Sequence, residues 1–255
     1  MELSNRDKAE AIQNSIETET LAEIGLISPT SYTQHNPNVA TGLKAILGLH
    51  DQMPMDKVYT NVVRKFQDGD YGFVHVDYFL FEPTVAFDIH RFENGVSVEH
   101  WDNLQSNPKK LNKSGRTMTD GKTKAKDHHK TEVNKALVKD FVQNVLINGQ
   151  LDLVSNYFKE DELIQHNPYM ADGVQEFLNM LNQWQEDGKP QIYKKIHKVL
   201  GEGNFVLVLS EGTFKGEHVA FYDLYRIEDG KIVEHWDVVE AIPETGKRKN
   251  SNGKF

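Results

Sequence analysis

Two short constellations in this chain could move protons. Asp88 lies twelve residues before His100, and Asp223 lies twelve residues before His235. A carboxylate in an apolar hollow has its pKa raised by desolvation, and a histidine titrates near neutrality unaided. Such a pair suits proton abstraction next to a carbonyl or protonation of an enolate oxygen. The plain alternative is a structural Asp–His bond tying two strands together.

The pairs belong to a repeat. Gln34-His35-Asn36-Pro37 recurs as Gln165-His166-Asn167-Pro168, followed five residues later by Gly42 and Gly173. Val85-Ala86-Phe87-Asp88 is echoed by Ala220-Phe221-Tyr222-Asp223, and Glu99-His100-Trp101-Asp102 by Glu234-His235-Trp236-Asp237. The offset is 131 at the first block and 135 at the other two, which implies duplicated domains differing by a short hairpin-length insertion. The expected division is 1–107, a linker at 108–130, and 131–255. The linker carries eight Lys/Arg against two Asp and few apolar residues, as a solvated connection would.

In the second copy an apolar helical stripe from Val133 through Leu146 ends at Asn148-Gly149. A short helical piece follows around Val154 to Phe158, and a third helix runs from Val174 to Trp184. Strands are expected at 191–199, 205–214, 219–227 and 231–239. The first copy repeats them at 58–66, 73–81, 84–92 and 96–104, after a shorter helix around Ala9, Ile12 and Ile16. Helices followed by antiparallel strands make an α+β domain with the helices on one sheet face.

The last hairpin of each copy turns at Asn94-Gly95 or Asp229-Gly230. A two-residue loop sets Asp88 opposite Trp101 and Asp223 opposite Trp236; a three-residue loop sets them opposite His100 and His235. The three-residue loop is preferred, because it lines one face with Phe221, Asp223, Tyr225, Val233, His235 and Asp237. Trp101 and Trp236 then pack on the other face.

The chain has 255 residues, net charge −9, 38% hydrophobic residues and no cysteine. Thiolate metal sites, disulfides and cysteine nucleophiles are excluded. An acidic body argues against nucleic acid as a partner, and no apolar run is long enough to span a membrane. No glycine loop of the nucleotide-binding kind and no Gly-x-Ser-x-Gly elbow is present. Eleven histidines include no His-Glu-x-x-His pair, and His128-His129 fall in the linker, so no metal is expected. The N-terminus lacks a secretory apolar core, and the expected location is cytoplasmic.

Taken together, Gln-His-Asn-Pro, the strand Phe221-Tyr222-Asp223-Leu224-Tyr225-Arg226 and the hairpin Glu228-Asp229-Gly230-Lys231-Ile232-Val233-Glu234-His235-Trp236-Asp237 resemble the SnoaL-like family. That family belongs to the nuclear-transport-factor-2-like superfamily, with ketosteroid isomerase and scytalone dehydratase. The resemblance covers both copies. It implies two cone-shaped α+β barrels, each a curved antiparallel sheet wrapped around about three helices, with a pocket at the open end. It also implies metal- and cofactor-independent chemistry on a small hydrophobic carbonyl compound, by aldol-type cyclisation or isomerisation. Asp223 and Asp88 match the acid/base position, with His235 and His100 as partners. His166, Asn167, His35 and Asn36, with Phe221 and Tyr225, are the expected substrate-binding residues. Asn36 and Asn167 stand where ketosteroid isomerase has its proton-abstracting Asp, and Phe141 where it has a helix tyrosine, which argues against steroid isomerisation by that route. A non-catalytic small-ligand-binding protein is the rival reading, and an interaction module with vestigial pockets a third. The superfamily's sheet-to-sheet pairing implies an internal pseudo-dimer or a homodimer.

Overall fold

A computed structural model describes residues 3–21, 24–54 and 56–255. The chain forms two compact units, one comprising residues 1–107 and 242–255, the other 108–241. Both are α+β, and both repeat one sheet order.

The first unit opens with α1 (Asn5–Glu17), whose N-cap Ser4 accepts from the Asp7 amide. β1 (Thr33–Gln34), α2 (Leu43–His50) and strands β2 (Tyr59–Asp68), β3 (Tyr71–Phe79), β4 (Pro83–Glu93) and β5 (Val96–Ser106) follow. The second unit has α3 (Thr131–Phe141), a π-helical continuation (Val142–Ile147), β6 (Ile164–Gln165), α4 (Val174–Glu186), β7 (Gln191–Glu202), β8 (Phe205–Phe214), β9 (Glu217–Glu228) and β10 (Lys231–Ala241). The sheets run β1-β5-β4-β3-β2 and β6-β10-β9-β8-β7. They are not wholly antiparallel, because β1 and β6 pair parallel to β5 and β10. Gly42 and Gly173, at φ +97° and +107°, are the N-caps of α2 and α4, a backbone that favours glycine.

Three expectations change. Residues 108–130 belong to the second unit, not to a free linker: Asn112 donates to the Gln165 carbonyl, Arg116 forks onto Asp172, and Trp236 Nε1 donates to the Asp120 carbonyl. Residues 242–255 belong to the first unit rather than the second. The drift in repeat offset falls largely before the last hairpins, where α4 has 13 residues against 8 in α2 and β7 has two bulges against one in β2.

The final hairpins take neither expected register. Asn94 and Gly95 (φ 48° and 86°), like Asp229 and Gly230 (φ 48° and 74°), form two-residue turns with both centres left-handed. A bulge at the strand start then shifts pairing by one, so Asp88 opposes Asp102 and Asp223 opposes Asp237, while His100 faces His90 and His235 faces Tyr225. The bulge restores the parity of the preferred reading, so Asp, His and the second Asp share the face that the sequence assigned to them.

Candidate active site

In the first unit, Asp88 on β4 and His100 on β5 are diagonal neighbours on the inner sheet face. His100 Nε2 lies 3.2 Å from Asp88 Oδ1. Gln34, the residue of β1 that pairs with His100, settles the ring's tautomer. Its Oε1 accepts from the Asn36 amide at 2.8 Å and from His100 Nδ1 at 3.1 Å, so Nδ1 carries a proton. The contact between Nε2 and Asp88 is then a bond sharing one proton, held as imidazolium–carboxylate or as imidazole–carboxylic acid. Burial pushes the Asp88 carboxyl above its ordinary range, and the bond to His100 opposes the rise.

Tyr78 on β3 donates at 3.0 Å to Asp88 Oδ2 and also contacts Gln13 Oε1 from α1. One hydroxyl proton facing two acceptors favours a protonated Asp88. Burial, then the Asp88 charge, holds the phenol well above its ordinary pKa. Gln13 reaches on to His90 Nε2, and His90 Nδ1 meets Ser97 Oγ; burial and His100 keep His90 far below the usual histidine range, hence neutral. Asn36 Oδ1 accepts from the Asn38 amide, which aims its Nδ2 at Asp102 Oδ2, 2.8 Å away.

These groups line a cavity of about 120 Å³. Apart from His50, its other walls are largely apolar, with Ile12, Ile16, Tyr32, Ile46, Leu49 and Leu104 among them. That volume approaches the roughly 150 Å³ of an engineered cavity that holds benzene.

The second unit builds the same polar set and stacks aromatic rings around it. His235 Nε2 is 3.0 Å from Asp223 Oδ1, Gln165 Oε1 accepts from the Asn167 amide and His235 Nδ1, and Asn167 Nδ2 donates to Asp237 Oδ2 at 2.7 Å. Asp223, however, is 0% exposed against 6% for Asp88. Asn5 and Asn134 make the same bond, to the Gly69 and Gly203 carbonyls, which aligns Ile12 with Phe141. Phe141 packs edge-on to Tyr225, which stacks on His235 at 4.7 Å, where the first unit has His90. Phe221 replaces Ala86 and stacks on Tyr193 at 4.2 Å.

Both aspartates receive a tyrosine hydroxyl, from different strands. Tyr78 of β3 faces Thr60 of β2, whereas Tyr193 of β7 faces Gly212 of β8. A Cβ on Gly212 would lie 1.9 Å from the Ile192 carbonyl oxygen and 2.8 Å from the Phe221 ring. The glycine makes room for the aromatic pair. Burial raises the Asp237 carboxyl to about 6.

His35 and His166, expected to bind substrate, stand on the opposite sheet face. They stack on Trp101 and Trp236 at 4.7 and 4.6 Å, and their Nε2 atoms meet Glu99 and Glu234 at 2.9 Å. Alternation along β1 and β6 sends Gln and Asn inward and the His between them outward. Phe221 and Tyr225 are buried in the second unit's apolar core. The sequence reading missed Gln34 and Gln165 as tautomer-setting acceptors, Asp102 as the second carboxylate, and Tyr78. The first three lay inside the repeated blocks and were legible there; Tyr78 has no repeat partner to mark it.

Among the described residues, Asp88, His100 and Asp102 bring ligand-type atoms within 4.8 Å of one another. A metal ion there would have to break the His100–Asp88 and Asn36–Asp102 bonds, while Asp102 Oδ1 takes no hydrogen bond from the described residues.

Residues 138–235 match the SnoaL-like domain family. The SnoaL-like segment thus covers the filled unit from its first helix to His235. The comparison with curated proteins finds no match. The chain is similar to a protein of unknown function with a cystatin-like fold from Xanthomonas campestris (22% identity, 42% of this chain and 89% of that one, TM-score 0.35). It is similar to an LEH-like epoxide hydrolase of M. tuberculosis (23%, 44% and 85%, TM-score 0.35). An NTF-2 like protein of unknown function from Burkholderia xenovorans LB400 gives 16%, 45% and 88%, with TM-score 0.37. No helix among the described residues is long and apolar enough to cross a membrane.

Proposed function

We propose that the chain is a tandem SnoaL-like enzyme whose first unit performs cofactor-independent acid/base chemistry on a small, largely apolar carbonyl compound, by aldol-type condensation or isomerisation. The supporting observation is that Asp88 sits on the wall of a largely apolar cavity, with His100 Nε2 3.2 Å from its Oδ1. In the imidazolium–carboxylate form, Asp88 accepts a proton from the carbon next to the carbonyl. In the acid form it returns a proton to carbon or to the enolate oxygen. Tyr78 is the neutral donor beside it, and Asp102 with Asn36 forms the polar end of the cavity. The second unit is the packed partner fold. The catalytic weight that the sequence placed on Asp223 and His235 passes to Asp88 and His100.

The test needs no knowledge of the product. Small cyclic ketones are incubated with the protein in heavy water, and NMR follows deuterium entering the carbons next to the carbonyl. Asp88→Asn, which keeps the shape, should lower the exchange rate by about 10²–10⁴-fold at unchanged melting temperature. A ketone that binds without any exchange in the parent chain would support the ligand-binding alternative instead.

A further inference from the structure

Residues 242–255 do more than complete the first unit's surface. Lys249 N donates to the Pro37 carbonyl, Asn250 Nδ2 to the carbonyls of Asn36 and Val39, and Asn252 Nδ2 to the Gln34 carbonyl. The Gly253 carbonyl receives His35 Nδ1 at 3.0 Å. This segment therefore holds the backbone of Gln34 and Asn36, the two side chains that fix His100 and Asp102. The next residue, Lys254, is buried, and its Nζ lies 3.6 Å from Asp102 Oδ1. That oxygen takes no hydrogen bond from the described residues.

The second unit supplies the control. There the segment 108–121 plays the same part: Asn112 donates to the Gln165 carbonyl, and the Thr117 carbonyl receives His166 Nδ1 at 2.9 Å. Thr117 corresponds to Gly253, so the counterpart of Lys254 is Met118, equally buried and uncharged.

We propose that Lys254 is a positioning residue of the first site: its buried ammonium holds Asp102 as a carboxylate, so that the exchangeable proton stays on the Asp88–His100 pair. The inference rests on the acid/base reading above. Two carboxylates opposed across a buried strand pair compete for one proton, and a cation beside one of them decides the competition. The groups facing Asp102 are Asp88 from β4, His100 from its own strand, Tyr78 from β3, Tyr32 and Asn36 from the loops around β1, and Lys254. Lys254 is the one basic amine among these.

The experiment is a carbon-13 titration of side-chain carboxyls in the full chain without ligand. Lys254→Met, which installs the second unit's residue, should raise the Asp102 midpoint by about one pH unit or more over the parent, and Lys254→Arg should restore it. An Asp102 resonance that responds identically in parent and Lys254→Met overturns the proposal. Should the Met variant fail to fold, Lys254→Gln repeats the measurement. In the parent chain itself, a through-space cross-peak between the Lys254 ammonium and Asp102 is required, and its absence is equally fatal. A matching acid-side shift of the exchange pH profile in Lys254→Met would tie the residue to turnover. Absence of deuterium exchange with every ketone would defeat the enzyme reading and leave this titration intact.

Discussion

The two units carry the same Gln-x-Asn, Asp and His-x-Asp side chains in the same bonds, yet in the first they border a cavity and in the second aromatic rings stack around them. The difference lies in the neighbours. Ile12, Ala86, His90 and Thr60 in the first unit stand where Phe141, Phe221, Tyr225 and Tyr193 stand in the second. The first three exchanges enlarge the side chain near the aspartate, and the fourth moves its tyrosine from β3 to the strand equivalent to β2. Protein interiors leave few voids when side chains of the right volume are present. Polar identity and open space are thus separable: the same hydrogen-bond pattern borders a cavity in one unit and lies among stacked aromatic rings in the other.

The sharpest way to break this comparison is to remove the aspartates one at a time. Asp88→Asn should abolish most ketone exchange, whereas Asp223→Asn should leave the rate within about two-fold, since that carboxyl is fully buried. Equal losses from both would end the division of labour. Next in size is packing. Phe141→Ala should cost about 3–5 kcal/mol in urea unfolding of the second unit, and the aligned Ile12→Ala in the cavity wall distinctly less, because the first unit already has space there.

A third contrast is in pH. The folded pKa of Asp237 is raised to about 6, above its unfolded value near 3.9. Such a group favours the fold fully below the unfolded value and loses that contribution as pH rises through about 6. Asp237→Asn should therefore leave stability at pH 4 nearly unchanged and raise it by about 2–3 kcal/mol at pH 7, flattening the slope between. The smallest effect concerns the far face. His35→Ala should leave exchange within about two-fold while costing about 1–2 kcal/mol of stability, through loss of the Trp101 stack and the Glu99 bond. A large fall in exchange would return His35 to the site.

Much of the fold was legible because apolar periodicity and turn chemistry act locally. The eight long strands lie within a few residues of their expected bounds, and the turns fall at Asn94-Gly95 and Asp229-Gly230 as expected, though as two-residue turns rather than the preferred three-residue loops. The face shared by Asp223, His235 and Asp237 was also readable, since alternation survives a bulge that the sequence did not reveal. His35 and His166 were misplaced for the opposite reason. A two-residue strand is too short for alternation to be counted, and only its pairing with β5 or β10 decides which of Gln, His and Asn points inward. The segment 108–121 reads as a solvated linker from its Lys-rich composition, and 242–255 groups with the strand it follows in sequence, whereas the contacts of both are specific side-chain-to-backbone bonds.

The sequence by itself determined the repeat, the α+β class and the chemical types on the inner sheet face, because these depend on residue identity and spacing along the chain. Which aspartate meets empty space, which histidine leaves the site, and which lysine lies beside Asp102 were settled by tertiary structure alone. Those outcomes depend on the volumes and charges that strands and segments far apart in the chain bring to one point, and no local pattern records that sum.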